Sequence, residues 1–279
     1  MKLGEFQRLM IQKLRTAGAD ESALAVRLLL ENRLSLAPLT LPLHAEREVD
    51  AQKQEQIKKD MERFASGEPL QYILGTQAFW DLTVTVRPGV LIPRPETEEL
   101  AREAVRYLAA TGKRKVLDLC TGSGALALAV KKHVPDADVT GTDLSPEALR
   151  TAKENAQALS LDISWREGDL LDRIEDAFDL IVCNPPYIPT GDVEKLDRTV
   201  RAYEPRMALD GGQDGLSFYR RIAGEASEHI EAGGALFLEV GAGQAAAVQA
   251  MLAGGFKEVR VRKDLEGIER MVLATGRKE

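Results

Sequence analysis

The sequence predicts an α/β fold built on a mostly parallel sheet, preceded by a small N-terminal helical domain. From about residue 94 onward, short β-forming runs alternate with helical stretches, the pattern of a parallel sheet covered on both faces. Residues 1–74 instead carry apolar residues at three- and four-residue spacing. The last two β-runs, FKEVRVRKD and ERMVLATGR, are joined by a short loop containing Gly267 that cannot hold a crossover helix. They are therefore expected to pair antiparallel at the sheet edge.

In chain order, FQRLMIQKLRTAG, SALAVRLLLENRL and the polar AEREVDAQKQEQIKKDMERFASG read as helices, with Phe6, Leu9, Met10 and Leu14 forming a stripe and Lys13 at its edge. The charge-rich third helix is by default a solvated face; docking of a protein partner is the sharper alternative. FWDLTVTVRPGVLIP alternates β-formers (Leu82, Val84, Val86) with a turn at Pro88-Gly89, so residues 75–93 read as a β-hairpin connector and 94–279 as the main domain. IPRPETEEL starts a helix, with Pro95 early and acids in the first turn, where the helix dipole favours them. KVLDLC, DVTGTD, FDLIVCN and ALFLEVG are strand runs. GALALAVKKHV, SPEALRTAKENAQAL (Ser145 as cap, Pro146 in first position) and LSFYRRIAGEASEHI are helices.

Composition narrows the function. The 279 residues are more than one compact domain usually needs, and 44 % hydrophobic with 29 % charged residues is an ordinary globular balance. No apolar run has membrane-spanning length, and the N-terminal stretch mixes charge with helical spacing, unlike a signal or transit peptide; a cytoplasmic protein is expected. Lys plus Arg (37) against Asp plus Glu (44) leaves a net charge of -7, which disfavours stable nucleic-acid binding. Two distant cysteines, Cys120 and Cys183, and three scattered histidines indicate neither a disulfide framework nor a metal site.

Two stretches carry chemistry. DLCTGSGALALA (Asp118 to Ala129) ends a strand and opens a helix, and Gly122 and Gly124 let a ligand approach the backbone closely. Asp143, about 20 residues further at the next strand end, can accept two ribose hydroxyls, so a nucleoside cofactor is expected. Gly122-Ser123-Gly124-Ala125-Leu126-Ala127 also satisfies the dinucleotide spacing, which leaves NAD open on spacing alone. FDLIVCNPPYIP presents Asn184 at the carboxyl end of an apolar strand, where Pro185 and Pro186 fix two φ angles. Asn184 Oδ1 and the Pro185 carbonyl then offer two fixed acceptors to the two N–H groups of a planar nitrogen, favouring its pyramidal form as it attacks a methyl carbon. Tyr187 can stack on the flat group and lie near a sulfonium.

The loop led by Asp118 resembles the first motif of class I S-adenosylmethionine-dependent methyltransferases, whose Rossmann-like sheet carries an antiparallel edge strand. Cys120 stands where that motif usually has its first glycine, so the turn is expected not to depend on a glycine-only backbone there. Cys120 and Cys183 end strands that are neighbours in that fold; they are small buried thiols, or else a pair that an oxidant would cross-link. NPPY in such a sheet marks enzymes that methylate adenine N6 or glutamine amides. PLQYILG, LIPRPETE, LDLCTGSGALALA, GDLL, NPPYI and EPRMALDGGQDGL together closely resemble the peptide-chain release-factor glutamine methyltransferases, the PrmC/HemK family.

That resemblance implies methyl transfer from S-adenosylmethionine, leaving S-adenosylhomocysteine, to the side-chain N5 of the glutamine in the Gly-Gly-Gln motif of release factors. It implies cofactor binding by Asp118, the loop Thr121, Gly122, Ser123, Gly124 and Ala125, by Asp143 at the ribose, by Asp169 and Leu170 flanking the adenine, and by Asn184. It places substrate binding at Asn184, Pro185, Pro186 and Tyr187, catalysis at Asn184, Pro185 and Tyr187, and release-factor docking on the helical domain. The chain's own Gly211-Gly212-Gln213 falls where relatives carry a glycine-rich turn and is read as coincidence rather than self-methylation. The alternatives are an adenine-N6 DNA methyltransferase, an NAD-dependent oxidoreductase and a non-catalytic partner-binding module. The first lacks an evident basic, aromatic target-recognition segment.

Overall fold

The computed structural model describes residues 1–278 and divides into two units. One comprises Met1–Gly75 with Arg198–Tyr203; the other runs from Thr76 to Asp197 and from Glu204 onward.

The first unit contains α1 (Leu3–Thr16), α2 (Ser22–Arg33), α3 (Ala51–Ala65) and α4 (Leu70–Leu74). Leu3, Phe6, Met10 and Leu14 recur on one face of α1 and are buried against Val26, Leu29 and Leu30 of α2, whereas Lys13 is exposed. The polar third segment is helical only from Ala51, because Asp50 accepts the Lys53 N–H at 2.8 Å and caps the helix there. Arg33 ties three helices together through its 2.7 Å bond to the buried Asp60 carboxylate and its 2.6 Å bond to the Ile73 carbonyl. The buried carboxylate has further partners in Gln56 at 3.2 Å and Arg63 at 3.6 Å, which is how a charge at this depth is kept compensated.

The second unit opens with an antiparallel hairpin, β1 (Thr76–Phe79) and β2 (Leu82–Thr85). Its own turn is Trp80-Asp81, and the expected turn at Pro88-Gly89 follows β2, closed by the Val90 N–H donating to the Arg87 carbonyl at 3.1 Å. Trp80 takes a left-handed φ of 54° and is held by stacking on His133 and by Arg102 over its ring, while Asp81 pairs with Lys132 and His133. Pro88 lacks a ladder N–H, and Gly89 simply turns the chain out of the strand direction.

The rest is α5 (Pro95–Thr111), β3 (Lys115–Leu119), α6 (Ala125–His133), β4 (Asp138–Asp143), α7 (Pro146–Ala158), β5 (Ser164–Glu167), β6 (Phe178–Cys183), α8 (Thr190–Val193), α9 (Arg198–Tyr203, part of the first unit), α10 (Ser217–Glu225), β7 (Ile230–Glu239), α11 (Ala245–Leu252), β8 (Phe256–Lys263) and β9 (Glu269–Arg277). The seven strands run in the order β5-β4-β3-β6-β7-β9-β8. All neighbours up to β7 are parallel, and β9 is the reversed strand, paired antiparallel with both β7 and β8. Strands β3 and β6 are buried almost along their whole length, which explains their unbroken apolar character. Register then decides where chemistry collects. Leu119 of β3 pairs with Thr142 of β4 and with Cys183 of β6, so the residues just beyond these three strands share one carboxyl edge.

Candidate active site

A cavity of about 290 Å³ opens at that edge, near the low end of small-molecule sites. Its walls bring together Asp118, Thr121, Gly122, Ser123, Ala125, Asp143, Asp169, Leu170, Asn184 and Pro186. Gly124, Pro185 and Tyr187 are chain neighbours of these wall residues, the first two buried and Tyr187 half-buried.

The glycine loop is built from beneath by carboxylates. Asp118, buried at the end of β3, accepts the Thr121 hydroxyl at 2.5 Å and the Ala127 N–H at 3.1 Å. Burial pushes its carboxyl up to about 7, against the pull of these two bonds. Asp143 accepts the Gly122 N–H and the Ser145 N–H, each at 2.8 Å, and burial raises it as well. Two bonds leave a carboxylate with further acceptor sites for a ligand diol. Gly124, with a φ of +82°, is demanded by space as well as by conformation, since a Cβ there would lie 3.0 Å from both Ala152 Cβ and the Trp165 ring. Asn155 of α7 closes the loop from behind: it donates to the Ser123 carbonyl at 2.9 Å and exchanges bonds of 2.7 and 3.1 Å with Thr85 of the hairpin.

Cys120 corrects one expectation. Its φ is +56°, so the loop does use a left-handed backbone at this position despite the missing glycine. The turn from β3 toward Thr121, whose N–H donates to the Thr142 carbonyl at 2.9 Å, imposes it. Both cysteines are free thiols. Burial and a hydrogen bond with Cys120 push the Cys183 thiol well above its ordinary range, which makes it a poor nucleophile.

On the opposite wall, Asn184 donates Nδ2 to Thr97 Oγ1 at 3.0 Å, and Thr97 Oγ1 donates to Glu239 Oε2 at 2.6 Å. Glu239, the last residue of β7, is buried, and its carboxyl is pushed up to about 7 by that burial. Behind them the NPPY backbone is held in a glycine cradle. A Cβ at Gly211 would lie 2.7 Å from Tyr187 Cα and 2.8 Å from the Pro186 carbonyl oxygen, and one at Gly215 would lie 2.3 Å from the Tyr187 carbonyl oxygen. Gln244 bonds that same carbonyl at 2.8 Å. The Tyr187 ring is partly buried beside Gly241, and burial pushes its hydroxyl up to about 12. Gly211-Gly212 is thus a brace for the site, and Gln213 points its exposed residue to solvent.

Several wall residues were not singled out from residue chemistry. Val90, Leu91, Pro93 and Arg94 come from the connector, and Pro205, Met207 and Ala208 from the loop beyond α9. Glu204, buried, joins the two segments by accepting Arg94 at 2.6 Å and the Ile92 N–H at 3.2 Å. Their only sequence signal was membership of the LIPRPETE and EPRMALDGGQDGL stretches. Asp169 carries an ion pair with Arg221 at 2.9 Å, and Leu170 beside it has a φ of +55°.

The charge of the cavity decides between cofactors. Asp118, Asp143, Asp169 and Asp210 line it, against Arg94 as the one cationic side chain among the described lining residues. A pyrophosphate would meet repulsion there, whereas a nucleoside bearing a sulfonium and an ammonium would not. The residues present fit such a ligand.

Comparison with known proteins agrees with this geometry. The model of the methyltransferase small domain matches residues 97–201, and that of the PrmC N-terminal domain matches residues 5–75. The release factor glutamine methyltransferase of Geobacter sulfurreducens is 42 % identical over 257 residues, covering 91 % of this chain and 90 % of that one. That of Deinococcus radiodurans is 40 % identical, covering 94 % of each. Among solved structures, a methyltransferase from Pyrococcus furiosus aligns with a TM-score of 0.54 at 17 % identity, over 81 % of this chain and 98 % of that one. The T. thermophilus 16S rRNA N2 G1207 methyltransferase, in complex with AdoMet and guanosine, aligns at 0.53 and 22 % identity, over 72 % and 50 %. These structural likenesses show the shared methyltransferase fold.

Proposed function

The chain belongs to the release factor glutamine methyltransferase family, and on that premise we propose how it acts: it methylates the N5 amide nitrogen of the Gly-Gly-Gln glutamine of a release factor. S-adenosylmethionine is the cofactor, and when bound it supplies a methyl carbon made electrophilic by the attached sulfonium. We assign the hold on its nucleoside to Asp118, the loop Thr121–Ala125, Asp143, Asp169 and Leu170, which the acidic wall of the cavity supports.

The observation that carries the amide reading is Asn184 on the cavity wall with Nδ2 already committed to Thr97. Its Oδ1 remains an acceptor, and together with the Pro185 carbonyl it would receive the two N–H groups of the substrate amide. Held out of the amide plane, those acceptors favour the pyramidal nitrogen that the transition state needs. With the cofactor held in the cavity, its methyl group would pass to that nitrogen with the bonding pair left on sulfur, while Asn184 Oδ1 and the Pro185 carbonyl keep the amide in place until its surplus proton is lost to water. Pro186 and Tyr187 keep the acceptors still.

The helical unit is assigned to docking the release factor, supported by the match of the PrmC N-terminal domain over residues 5–75. The net charge of -7 supports a protein substrate without stable nucleic-acid binding, and a translation-factor substrate supports a cytoplasmic site of action. None of the described helices is long and apolar enough to cross a membrane. Family membership disfavours adenine-N6 methylation of DNA.

The test is mass spectrometry of a purified release factor after incubation with enzyme and labelled cofactor. One methyl group on the Gly-Gly-Gln glutamine is expected, and Asn184→Ala should lower kcat by about 10²-fold, the size of losing one transition-state contact. An unmodified glutamine, or an Asn184→Ala enzyme with full turnover, would end this reading.

A further inference from the structure

Asn184 is tied to two further polar side chains, Thr97, which also lines the cavity, and Glu239. Thr97 lies in the first turn of α5 and Glu239 at the carboxyl end of β7, 142 residues apart in sequence, yet they share a 2.6 Å hydrogen bond and Thr97 in turn receives Asn184 Nδ2 at 3.0 Å. Both are buried, Thr97 at 7 % and Glu239 at 1 % exposure. A buried acid costs stability unless something else requires it.

We propose that Thr97 and Glu239 are positioning residues that hold the Asn184 carboxamide with Oδ1, rather than Nδ2, turned toward the substrate nitrogen. The inference rests on the reading above, in which Asn184 Oδ1 is an acceptor for the glutamine amide. Its logic is the direction of two protons. A carboxamide presents nearly the same shape either way round, so packing alone does not choose which end faces the cavity. An ionised carboxylate can only accept, so the Thr97 hydroxyl must spend its single proton on Glu239. Its oxygen is then left as an acceptor, and only the Nδ2 end of Asn184 can satisfy it. Oδ1 makes no hydrogen bond among the described residues, although Asn184 lines the cavity.

Protonating Glu239 would reverse the order. The acid would donate to Thr97, Thr97 would donate onward, and Asn184 would have to offer Oδ1 to it. Its two N–H groups would then face the two N–H groups of the substrate, donor against donor. Several groups set that protonation. Arg94, at the start of α5, and Arg270, on β9, favour the carboxylate, and Glu96 opposes it. Tyr187, beyond β6, and Tyr219 of α10, whose hydroxyl donates to the Glu239 backbone carbonyl at 2.8 Å, are both held as neutral phenols by burial. Desolvation outweighs the rest and brings the acid up to about 7. Turnover at saturating cofactor should therefore weaken as pH falls through that region.

The experiment is steady-state methylation of a purified release factor by the full-length enzyme across pH 5.5–9 (roughly the range in which a shifted carboxyl titrates). Thr97→Val should lower kcat by about 10- to 100-fold while KM for the release factor and binding of S-adenosylhomocysteine stay within about threefold, and Thr97→Ser should restore most of the loss. Glu239→Gln replaces the titrating carboxyl with a group that does not ionise, so its kcat profile should lose the acid limb seen in the wild type. Wild-type turnover by Thr97→Val, or an unchanged acid limb in Glu239→Gln, overturns the proposal. Should Thr97→Val fail to fold, the comparison of the Glu239→Gln and wild-type profiles decides alone. Wild-type enzyme that leaves the glutamine unmethylated would refute the underlying functional reading instead.

Discussion

Replacing Gly211 by alanine tests whether the glycine cradle holds the reacting corner. Gly211 does not sit in the left-handed region, so alanine meets no backbone strain and acts through its methyl group alone. That methyl would lie 2.7 Å from Tyr187 Cα, 2.8 Å from the Pro186 carbonyl oxygen and 2.9 Å from the Tyr187 carbonyl carbon, whereas ordinary contact begins at 3.4 Å. The backbone of Pro186-Tyr187 must therefore retreat by about 0.7 Å, the difference between 3.4 and 2.7 Å. It cannot do so freely, because Gln244 holds the Tyr187 carbonyl and Ile188 exchanges backbone bonds with Leu209 and Gly211. Overpacking of this kind costs about 1–3 kcal/mol of stability, and a displacement approaching 1 Å beside the reacting atoms costs about 10²-fold in rate. The assay is release-factor methylation at saturating cofactor, alongside thermal unfolding and calorimetric binding of S-adenosylhomocysteine. Cofactor affinity should change little, since the glycine loop is not displaced. Gly224→Ala, inside α10 with nothing within 4 Å of the new methyl, is the control and should be neutral or stabilising by about 0.5–1 kcal/mol. Wild-type kcat in the Gly211→Ala enzyme would refute the cradle.

Asn155→Ala removes three hydrogen bonds shared with Thr85 and Ser123 and should cost about 1–3 kcal/mol while weakening S-adenosylhomocysteine binding, read by thermal unfolding and calorimetry. Unchanged affinity would show that the loop needs no support from α7. Asp118 and Glu239 both have folded-state values raised to about 7, so the stability tied to them is complete below their unfolded values and is lost as pH rises through about 7. The cofactor-free protein should accordingly melt higher at pH 5.5 than at pH 8 (roughly either side of that shift), with Asp118→Asn flattening the difference by no more than about 2 kcal/mol. A melting temperature that rises over this interval would contradict the assignment. At Cys120, where φ is +56°, Cys120→Gly should prove more stable than Cys120→Val by about 1–2 kcal/mol in denaturant titration, because a β-branched side chain suits that backbone least. Equal stability would mean that the turn carries no strain.

Much of this protein is determined by signals a few residues long. Helix-period spacing yields α1 and α2, Ser145 marks the start of α7, and buried apolar runs yield β3 and β6. The glycine loop and Asn184-Pro185-Pro186-Tyr187 are legible for the same reason, since φ freedom, φ restriction and strand-end placement are local properties. What the tertiary structure alone decided lies between segments far apart. Glu204 reaches Arg94 across 110 residues, Thr97 reaches Glu239 across 142, and Gly211 is a glycine because Tyr187 passes behind it. The hairpin turned at Trp80-Asp81 because His133 and Arg102 hold Trp80, and Cys120 adopted a left-handed backbone because the strand registers on either side required it. A residue's type limits the hydrogen bonds and backbone angles open to it. Which of those are used depends on the partner that sheet register brings within reach, and that partner is named nowhere in the neighbouring sequence.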